Sequence, residues 1–205
     1  MTESLRIVVA DDEPDMRDYF KKILPRLGHV VVAVAQNGRE LVEQCRTHRP
    51  DLVITDIKMP DMDGIEAACA LYREQRVAII LVSAHHDPKL IRRAEADQVM
   101  GYLVKPIKQS DLEPAIALAI RRSDQFRALR QEAIDLRQAM EDRTLIERAE
   151  VILGKLSGPN KSGASIRLQK LAREQNLKPV ELARIIVTAD ETFPASREAE
   201  GQGPD

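Results

Sequence analysis

Carboxylates, a hydroxyl and an ammonium group stand at the ends of short apolar segments in the N-terminal half of the chain. The adjacent acids Asp11 and Asp12 follow one segment, Asp56 a second, Ser83 a third and Lys105 a fourth. Like charges gathered in one place are unfavourable without a cation, and a site built from oxygen ligands alone is typical of Mg²⁺. These residue types predict a magnesium site where a carboxylate can act as a nucleophile and Lys105 can neutralise negative charge. Taken alone, Asp11 and Asp12 fit helix caps better than a metal site.

Those polar residues converge only if the apolar segments are parallel strands of one sheet. Strand-like segments cover residues 5–10, 30–34, 51–55, 78–82 and 101–104, and helix-period segments alternate with them. Nearly continuous apolar segments indicate strands that are covered on both faces. Such sheets bind ligands at the carboxyl ends of their strands. We therefore predict an α/β fold of five strands and five helices, a doubly wound parallel sheet with all the polar groups at one edge.

The second half of the chain has the periodicity of helices only. From Ser110, which has capping-box spacing to Glu113, one helical segment runs to about Leu156. Shorter helical segments follow at residues 163–175 and 179–189. This pattern predicts a long helical linker followed by a small three-helix all-α domain. Its predicted core comprises Leu145, Ile146, Ile152, Leu171, Leu182 and Ile186.

Apolar residues three and four positions apart follow the long helical segment in a coiled-coil pattern. The pattern comprises Phe126, Leu129, Ala133, Leu136 and Met140, about two heptads. It favours a homodimer. The alternative is a helix that packs along its own second domain.

The charges are distributed unevenly along the chain. Residues 1–120 carry 16 Lys and Arg against 19 Asp and Glu, residues 121–189 carry 14 against 9, and residues 190–205 carry 1 against 5. Only the middle block suits a polyanionic partner, and a solvated helix face explains it equally well. Because there is neither an apolar run of membrane-spanning length nor a signal-peptide pattern at the N-terminus, we expect a cytoplasmic protein without a membrane partner.

Four stretches resemble the receiver domain of two-component response regulators. They read VVADDE at residues 8–13, DLVITDIKMPDMDG at 51–64, LVSA at 81–84 and GYLVKP at 101–106. The resemblance implies a flavodoxin-like (βα)5 fold in which a sensor histidine kinase phosphorylates Asp56. It also implies that Mg²⁺ is held by Asp11, Asp12, Asp56 and the backbone carbonyl of Lys58. Phosphate binding and switching fall to Ser83, Ala84, Tyr102 and Lys105, and Asp61 and Asp63 are turn residues beside Gly64.

A second resemblance covers the helical half. The stretches LRQAMEDRTLIERA at residues 136–149, LQKLAREQN at 168–176 and VELARII at 180–186 are similar to the ANTAR domain, an RNA-binding module of transcription antiterminators. The implied partner is an RNA hairpin in a leader transcript. Cations and guanidinium planes can grip phosphates and splayed bases, and the candidates are Arg143, Arg148, Arg167, Arg173 and Arg184. Two positions depart from the family pattern: Glu150-Val151 replaces a basic residue and glycine, and Ser165-Ile166 replaces an aromatic.

Together these features predict a receiver domain over residues 1–122, a helical or coiled-coil linker over 123–135, an ANTAR-like domain over 136–190 and a disordered tail over 191–205. The function predicted is that of a response regulator controlling antitermination, not an enzyme beyond self-phosphorylation and self-dephosphorylation at Asp56. The alternative is a phosphorylation-dependent regulator whose ANTAR-like domain contacts a protein instead of RNA. A DNA-binding output fits a small basic helical unit but not the pattern at 136–149.

Overall fold

The computed structural model describes residues 4–75, 77–84, 99–155 and 161–192. These residues fall into two compact units, with the boundary between Ala128 and Leu129. Each unit has a core of its own, so each is described by itself.

A five-stranded parallel sheet forms the centre of the first unit. Its strands are β1 (Arg6–Ala10), β2 (Val30–Ala35), β3 (Leu52–Asp56), β4 (Ala78–Ser83) and β5 (Gly101–Val104). Their order across the sheet is β2-β1-β3-β4-β5, and every pair is parallel. β3 and β4 are buried at every position, as expected of central strands covered on both faces.

Helices cover both faces of the sheet. They are α1 (Pro14–Arg26), α2 (Gly38–His48), α3 (Gly64–Glu74) and the start of α4 (Gln109–Lys155). One core cluster joins one face of the sheet to Phe20 and Leu24 of α1 and to Leu112 of α4. The other joins the opposite face to α2 and α3, with Leu41 and Leu71 fully buried.

The predicted α/β fold class is confirmed. The observed strands differ from the predicted ones by at most one residue at either end. The predicted helix between β4 and β5 falls on residues 85–98, which lie outside the described residues. The capping box predicted at Ser110 is wrong, because α4 begins at Gln109 and Ser110 lies inside the helix; the Asp111 carboxylate instead accepts a hydrogen bond from the Lys108 amide at 3.2 Å.

The second unit is helical. The C-terminal part of α4 packs with α5 (Lys161–Glu174) and α6 (Pro179–Thr192). The buried residues are Ala149, Leu168, Ala172, Leu182, Ala183 and Val187. Of the predicted core, Leu182 is buried, and Ile146, Ile152 and Ile186 pack against it. Leu171 was predicted wrongly, since it is 36% exposed: α5 buries the row Ala164, Leu168 and Ala172, four residues apart, and Leu171 lies beside that row.

The predicted coiled-coil residues are exposed in the single chain. Phe126, Leu129, Leu136 and Met140 are between 51% and 64% exposed, and Ala133 is exposed as well. None of the four that belong to the second unit takes part in its core cluster. We call Leu129, Ala133, Leu136 and Met140 the seam. No helix among the described residues is long and apolar enough to cross a membrane.

Candidate functional site

The carboxyl ends of four neighbouring strands bring the predicted polar residues together. Asp11 follows β1, Asp56 is the last residue of β3, Ser83 is the last of β4 and Lys105 follows β5. The register pairs Asp56 with Val82 and Ser83 with Val104, so these ends lie side by side. The Lys105 amide donates to the Ser83 carbonyl at 2.8 Å, which extends the ladder by one step and directs the lysine to the same edge.

The Lys105 ammonium lies among three carboxylates. Its Nζ is 3.0 Å from Asp11 Oδ2, 3.1 Å from Asp56 Oδ1 and 3.4 Å from Glu13 Oε1. The Asp11 side chain is fully buried, and those of Asp56 and Lys105 are 7% and 14% exposed. Buried charges require such partners, because unpaired carboxylates in a poorly solvated site are strongly unfavourable.

Burial and pairing act on these groups in opposite directions. Burial raises the pKa of both Asp11 and Asp56 above the ordinary value, and the contact with Lys105 opposes the shift without cancelling it. For Lys105, burial lowers the pKa, but its contacts with Asp11 and Asp56 outweigh burial and hold the pKa above its usual range. The lysine therefore stays charged, and it favours the ionised form of the carboxylates.

The local backbone fixes the orientation of Asp56. Its Oδ2 accepts a hydrogen bond from the Lys58 amide at 2.7 Å, and its carbonyl oxygen accepts one from Thr55 Oγ1 at 3.0 Å. A Cβ atom at Gly64 would overlap that same carbonyl oxygen, so this turn requires glycine. Asp63 caps α3 through a capping box, and Asp61 adopts a φ of 64° in the turn; both are turn residues, as predicted.

The acidic residues fit a divalent cation. Carboxylate oxygens of Asp11, Asp12 and Glu13 lie within 4.8 Å of one another. Asp11 Oδ2 is buried and makes no hydrogen bond of good geometry with any described residue, although Lys105 Nζ lies close to it. An oxygen-only set that includes a buried carboxylate oxygen suits Mg²⁺. Glu13 was not predicted as a site residue, although its position directly after the acidic pair is the signal that could have found it.

The remaining predicted receiver residues lie at the carboxyl edge of the sheet, except Tyr102, which lies within β5 and pairs with Leu81 of β4. Ser83 is buried, Ala84 beside it is exposed, and the half-buried ring of Tyr102 packs against the α2 and α3 core cluster. Lys58 contributes its amide to Asp56. Asp12 is exposed next to Asp11.

The five predicted RNA-binding arginines are all exposed in the second unit. Arg143 forms an ion pair with Glu147 at 2.8 Å within α4, and Arg148 forms one with Glu191 of α6 at 2.6 Å. Arg167 and Arg173 lie on α5, and Arg184 lies on α6. The five cations thus occupy all three helices of the unit.

Two family models match the sequence. The model of the response regulator receiver domain matches residues 7–117, which contain the whole site at the sheet edge. The ANTAR domain model matches residues 135–187 of the helical half.

Curated proteins and solved structures agree with these matches. The transcriptional regulatory protein PdtaR of Mycobacterium tuberculosis is 35% identical over 182 residues, which is 89% of each chain. The chemotaxis protein CheY of Bacillus subtilis is 38% identical over 112 residues, covering 54% of this chain and 93% of its own. The signal receiver domain of NarL from Mycobacterium tuberculosis superposes with a TM-score of 0.55 at 30% identity, covering 58% of this chain and 98% of that one.

Proposed function

Because the chain belongs to the response-regulator family and joins a receiver domain to an ANTAR domain, we propose that a sensor histidine kinase phosphorylates Asp56 and thereby controls an RNA-binding output in transcription antitermination. The observation that carries the first part is the position of Lys105, with its ammonium about 3 Å from both Asp11 and Asp56. A cation held between a carboxylate nucleophile and an acidic pair suits the transfer of an anionic group.

The reaction forms a bond between phosphorus and an Asp56 carboxylate oxygen, and it breaks the phosphorus–nitrogen bond of a phosphohistidine. The electron pair of that bond leaves with the imidazole, which takes up a proton. Phosphoryl transfer depends mainly on positioning and electrostatic stabilisation. The Lys58 amide holds the Asp56 carboxylate in place, and the Lys105 ammonium offsets the charge that accumulates on the phosphoryl oxygens.

Mg²⁺ is the cofactor that this donor set favours. Asp11, Asp12 and Asp56, with the Lys58 carbonyl, would hold it, and Glu13 is placed to join them. When bound, the ion neutralises the clustered carboxylates and the incoming phosphoryl oxygens.

The phosphorylated state is recognised by Ser83 and Tyr102 in this proposal. Ser83 ends β4 beside Asp56, where its hydroxyl can bond to a phosphoryl oxygen. Tyr102 is half-buried on the adjacent strand, so its ring can fill space that Ser83 vacates. Phosphorylation would then shift a two-state equilibrium that already exists.

Labelling with acetyl phosphate tests the phosphoacceptor. Asp56→Asn abolishes labelling and leaves the circular dichroism spectrum unchanged. Asp61→Asn is the matched control, because Asp61 is an exposed aspartate in the following turn and asparagine tolerates its positive φ. Equal labelling of Asp56→Asn and the wild type would overturn the assignment.

RNA binding is proposed for the second unit. Its support is the basic charge of α5, which carries Lys161, Arg167, Lys170 and Arg173 against the single acid Glu174. Phosphate contacts by such cations make affinity fall with salt. Arg173→Glu is expected to weaken RNA binding and to reduce the salt slope by about one, whereas reversal of Arg26, an exposed arginine on α1, leaves both unchanged. Joint charge reversal of Arg143 and Arg148 is likewise expected to weaken RNA binding and to reduce the salt slope. That double substitution also breaks the ion pairs of these arginines with Glu147 and Glu191.

The decisive assay is binding to paired-hairpin RNAs from leader transcripts, with and without beryllofluoride and Mg²⁺. Binding that strengthens with the phosphate mimic supports the full proposal. The absence of binding in both states favours a protein-contacting output. That second function has its own observation: Arg143 and Arg148 are ion-paired with Glu147 and Glu191, and the Glu150-Val151 departure adds an acid to the same helix.

A homodimer through the seam belongs to the same proposal. Leu129, Leu136 and Met140 are more than 60% exposed, and the charges beside the seam select an orientation. In a parallel pair with this heptad register, Glu132 of one copy lies opposite Arg137 of the other, which is the arrangement that stabilises coiled coils. Leu136→Glu should lower the dimer fraction in analytical ultracentrifugation. Ile134→Glu should not, because Ile134 is 51% exposed but lies outside the seam.

A further inference from the structure

Helix α1 holds the loop that carries the adjacent acids. Arg17 Nη1 donates hydrogen bonds to two successive backbone carbonyls, at 2.7 Å from the Asp11 oxygen and 2.9 Å from the Asp12 oxygen. The Glu13 amide donates to Asp11 Oδ1 at 3.0 Å. The backbone from Asp11 to Glu13 is therefore fixed by a side chain of α1 and by the first carboxylate of the loop itself.

The Asp12 carboxylate depends on this backbone for its direction. Asp11 is buried and paired with Lys105, so its surroundings alone restrain its side chain. Asp12 is exposed, so the φ and ψ angles set by its neighbouring peptide groups decide where its Cβ points. Arg17 contacts the carbonyls on both sides of the Asp12 peptide unit and restrains those angles.

We propose that Arg17 is a positioning residue for the divalent cation, one that orients Asp12 through the backbone and does not itself contact the ion. The proposal rests on the function proposed above, in that the cation site is the one formed by Asp11, Asp12 and Asp56. Residues that orient metal ligands contribute substantially to affinity, and their loss typically weakens metal binding by about tenfold to a hundredfold.

The charge of Arg17 works in the opposite direction to its hydrogen bonds. A guanidinium beside the site repels a second cation, so removal of the charge alone would strengthen cation binding. Loss of the backbone restraint would weaken it. The sign of the change in affinity therefore separates a positioning role from a purely electrostatic effect.

The measurement uses Mn²⁺ as the probe and the full chain as the sample. Free Mn²⁺ gives an electron paramagnetic resonance signal that falls on binding, and added Mg²⁺ competes in the same titration. Arg17→Gln is expected to raise the Mn²⁺ dissociation constant by roughly tenfold. Arg17→Lys keeps the charge on a shorter side chain, whose ammonium reaches the two carbonyls less well than Nη1 does, so it raises the constant by a smaller factor. Acetyl phosphate labelling at saturating Mg²⁺ should recover most of its wild-type rate in both variants.

Arg26→Gln is the matched control, because Arg26 is an exposed residue of the same helix. It lies nine residues further along, about 13 Å by the helical rise and beyond the screening length of about 8 Å at physiological salt. It should bind Mn²⁺ as the wild type does.

Tighter or unchanged Mn²⁺ binding by Arg17→Gln would overturn the positioning role and leave the proposed function intact. Absence of Mn²⁺ binding by the wild-type chain would overturn the cation site itself, and both proposals with it. Circular dichroism checks that each variant is folded. If Arg17→Gln unfolds, Arg17→Lys decides, since wild-type affinity in that variant contradicts the proposal.

Discussion

Lys105→Met should destabilise the first unit by about 3 kcal/mol at pH 7.5 in the presence of EDTA. Methionine keeps the length and the apolar stem of the side chain but removes the ammonium that lies near Asp11 and Asp56. Removing one partner of a buried ion pair typically costs about 3–5 kcal/mol, because the other charge stays buried. We take the lower end since Lys105 is 14% exposed, so water reaches the site in part.

The loss of stability caused by Lys105→Met should become smaller as the pH falls. Burial already raises the native pKa of Asp11 and Asp56, and Lys105 opposes that shift; without the lysine both pKa values rise further. A carboxyl group whose native pKa exceeds its unfolded value lowers stability above the native pKa and ceases to do so once it is protonated. The difference in stability between wild type and Lys105→Met should therefore narrow as the pH is lowered from 7.5 toward the native pKa values of the two carboxyl groups.

Urea denaturation followed by far-ultraviolet circular dichroism measures both effects. Lys108→Met is the matched control, because Lys108 is an exposed lysine three residues further along. Addition of Mg²⁺ should restore part of the lost stability, since a bound cation replaces the missing charge. Surface substitutions usually change the free energy of unfolding by less than about 0.5 kcal/mol. If Lys105→Met in EDTA stays within this range of the wild type, the lysine is not what compensates the charge of the buried carboxylates.

Three other residues give predictions. Gly64→Ala should lower both stability and acetyl phosphate labelling, because its Cβ would overlap the Asp56 carbonyl; a labelling assay on the folded variant checks this. Burial lowers the pKa of His29, whose Nδ1 accepts a hydrogen bond from the Leu5 amide at 3.4 Å. As the pH is lowered through about 6.5, the unfolded chain is therefore protonated at His29 before the folded chain, and the free energy of unfolding decreases. His29→Asn should reduce this decrease in urea titrations. Burial raises the pKa of Cys45 to about 12, so under native conditions a thiol reagent should label the half-buried Cys69 and spare Cys45.

The architecture of the first unit follows from local patterns in the sequence. Continuous apolar runs such as residues 78–82 specify central strands, and the alternation with helices specifies parallel pairing. Once the strands are parallel, their carboxyl ends share one edge, so Asp11, Asp56, Ser83 and Lys105 had to converge there. The prediction of the site needed no side-chain geometry beyond this topology.

Contacts that depend on how neighbouring elements and turns are set against one another could not be predicted from the sequence. The bonds from Arg17 to two carbonyls depend on how α1 is set against the end of β1, which residue type and spacing do not encode. The requirement for glycine at position 64 likewise arises from the approach of the Asp56 carbonyl. In the helical unit, Leu171 was misassigned because a short amphipathic helix offers two adjacent faces, and only packing against α4 and α6 decides between them.

Phosphorylation at Asp56 would change the electrostatic attraction that acts on Lys105. Lys105 is shared by Asp11, Asp56 and Glu13, and a phosphoryl group adds charge on the Asp56 side only, so the ammonium must be drawn toward it. Such a movement acts on the short segment between Lys105 and the start of α4. Ile107, two residues later, is buried and its carbonyl accepts the Tyr19 hydroxyl at 3.0 Å, and α4 begins at Gln109. The chain from Lys105 to the start of α4 is thus four residues long. Tyr19→Phe removes the hydrogen bond to Ile107 in the middle of this segment. It should therefore weaken the coupling between the charge at Asp56 and the position of α4 without changing the charges of the site.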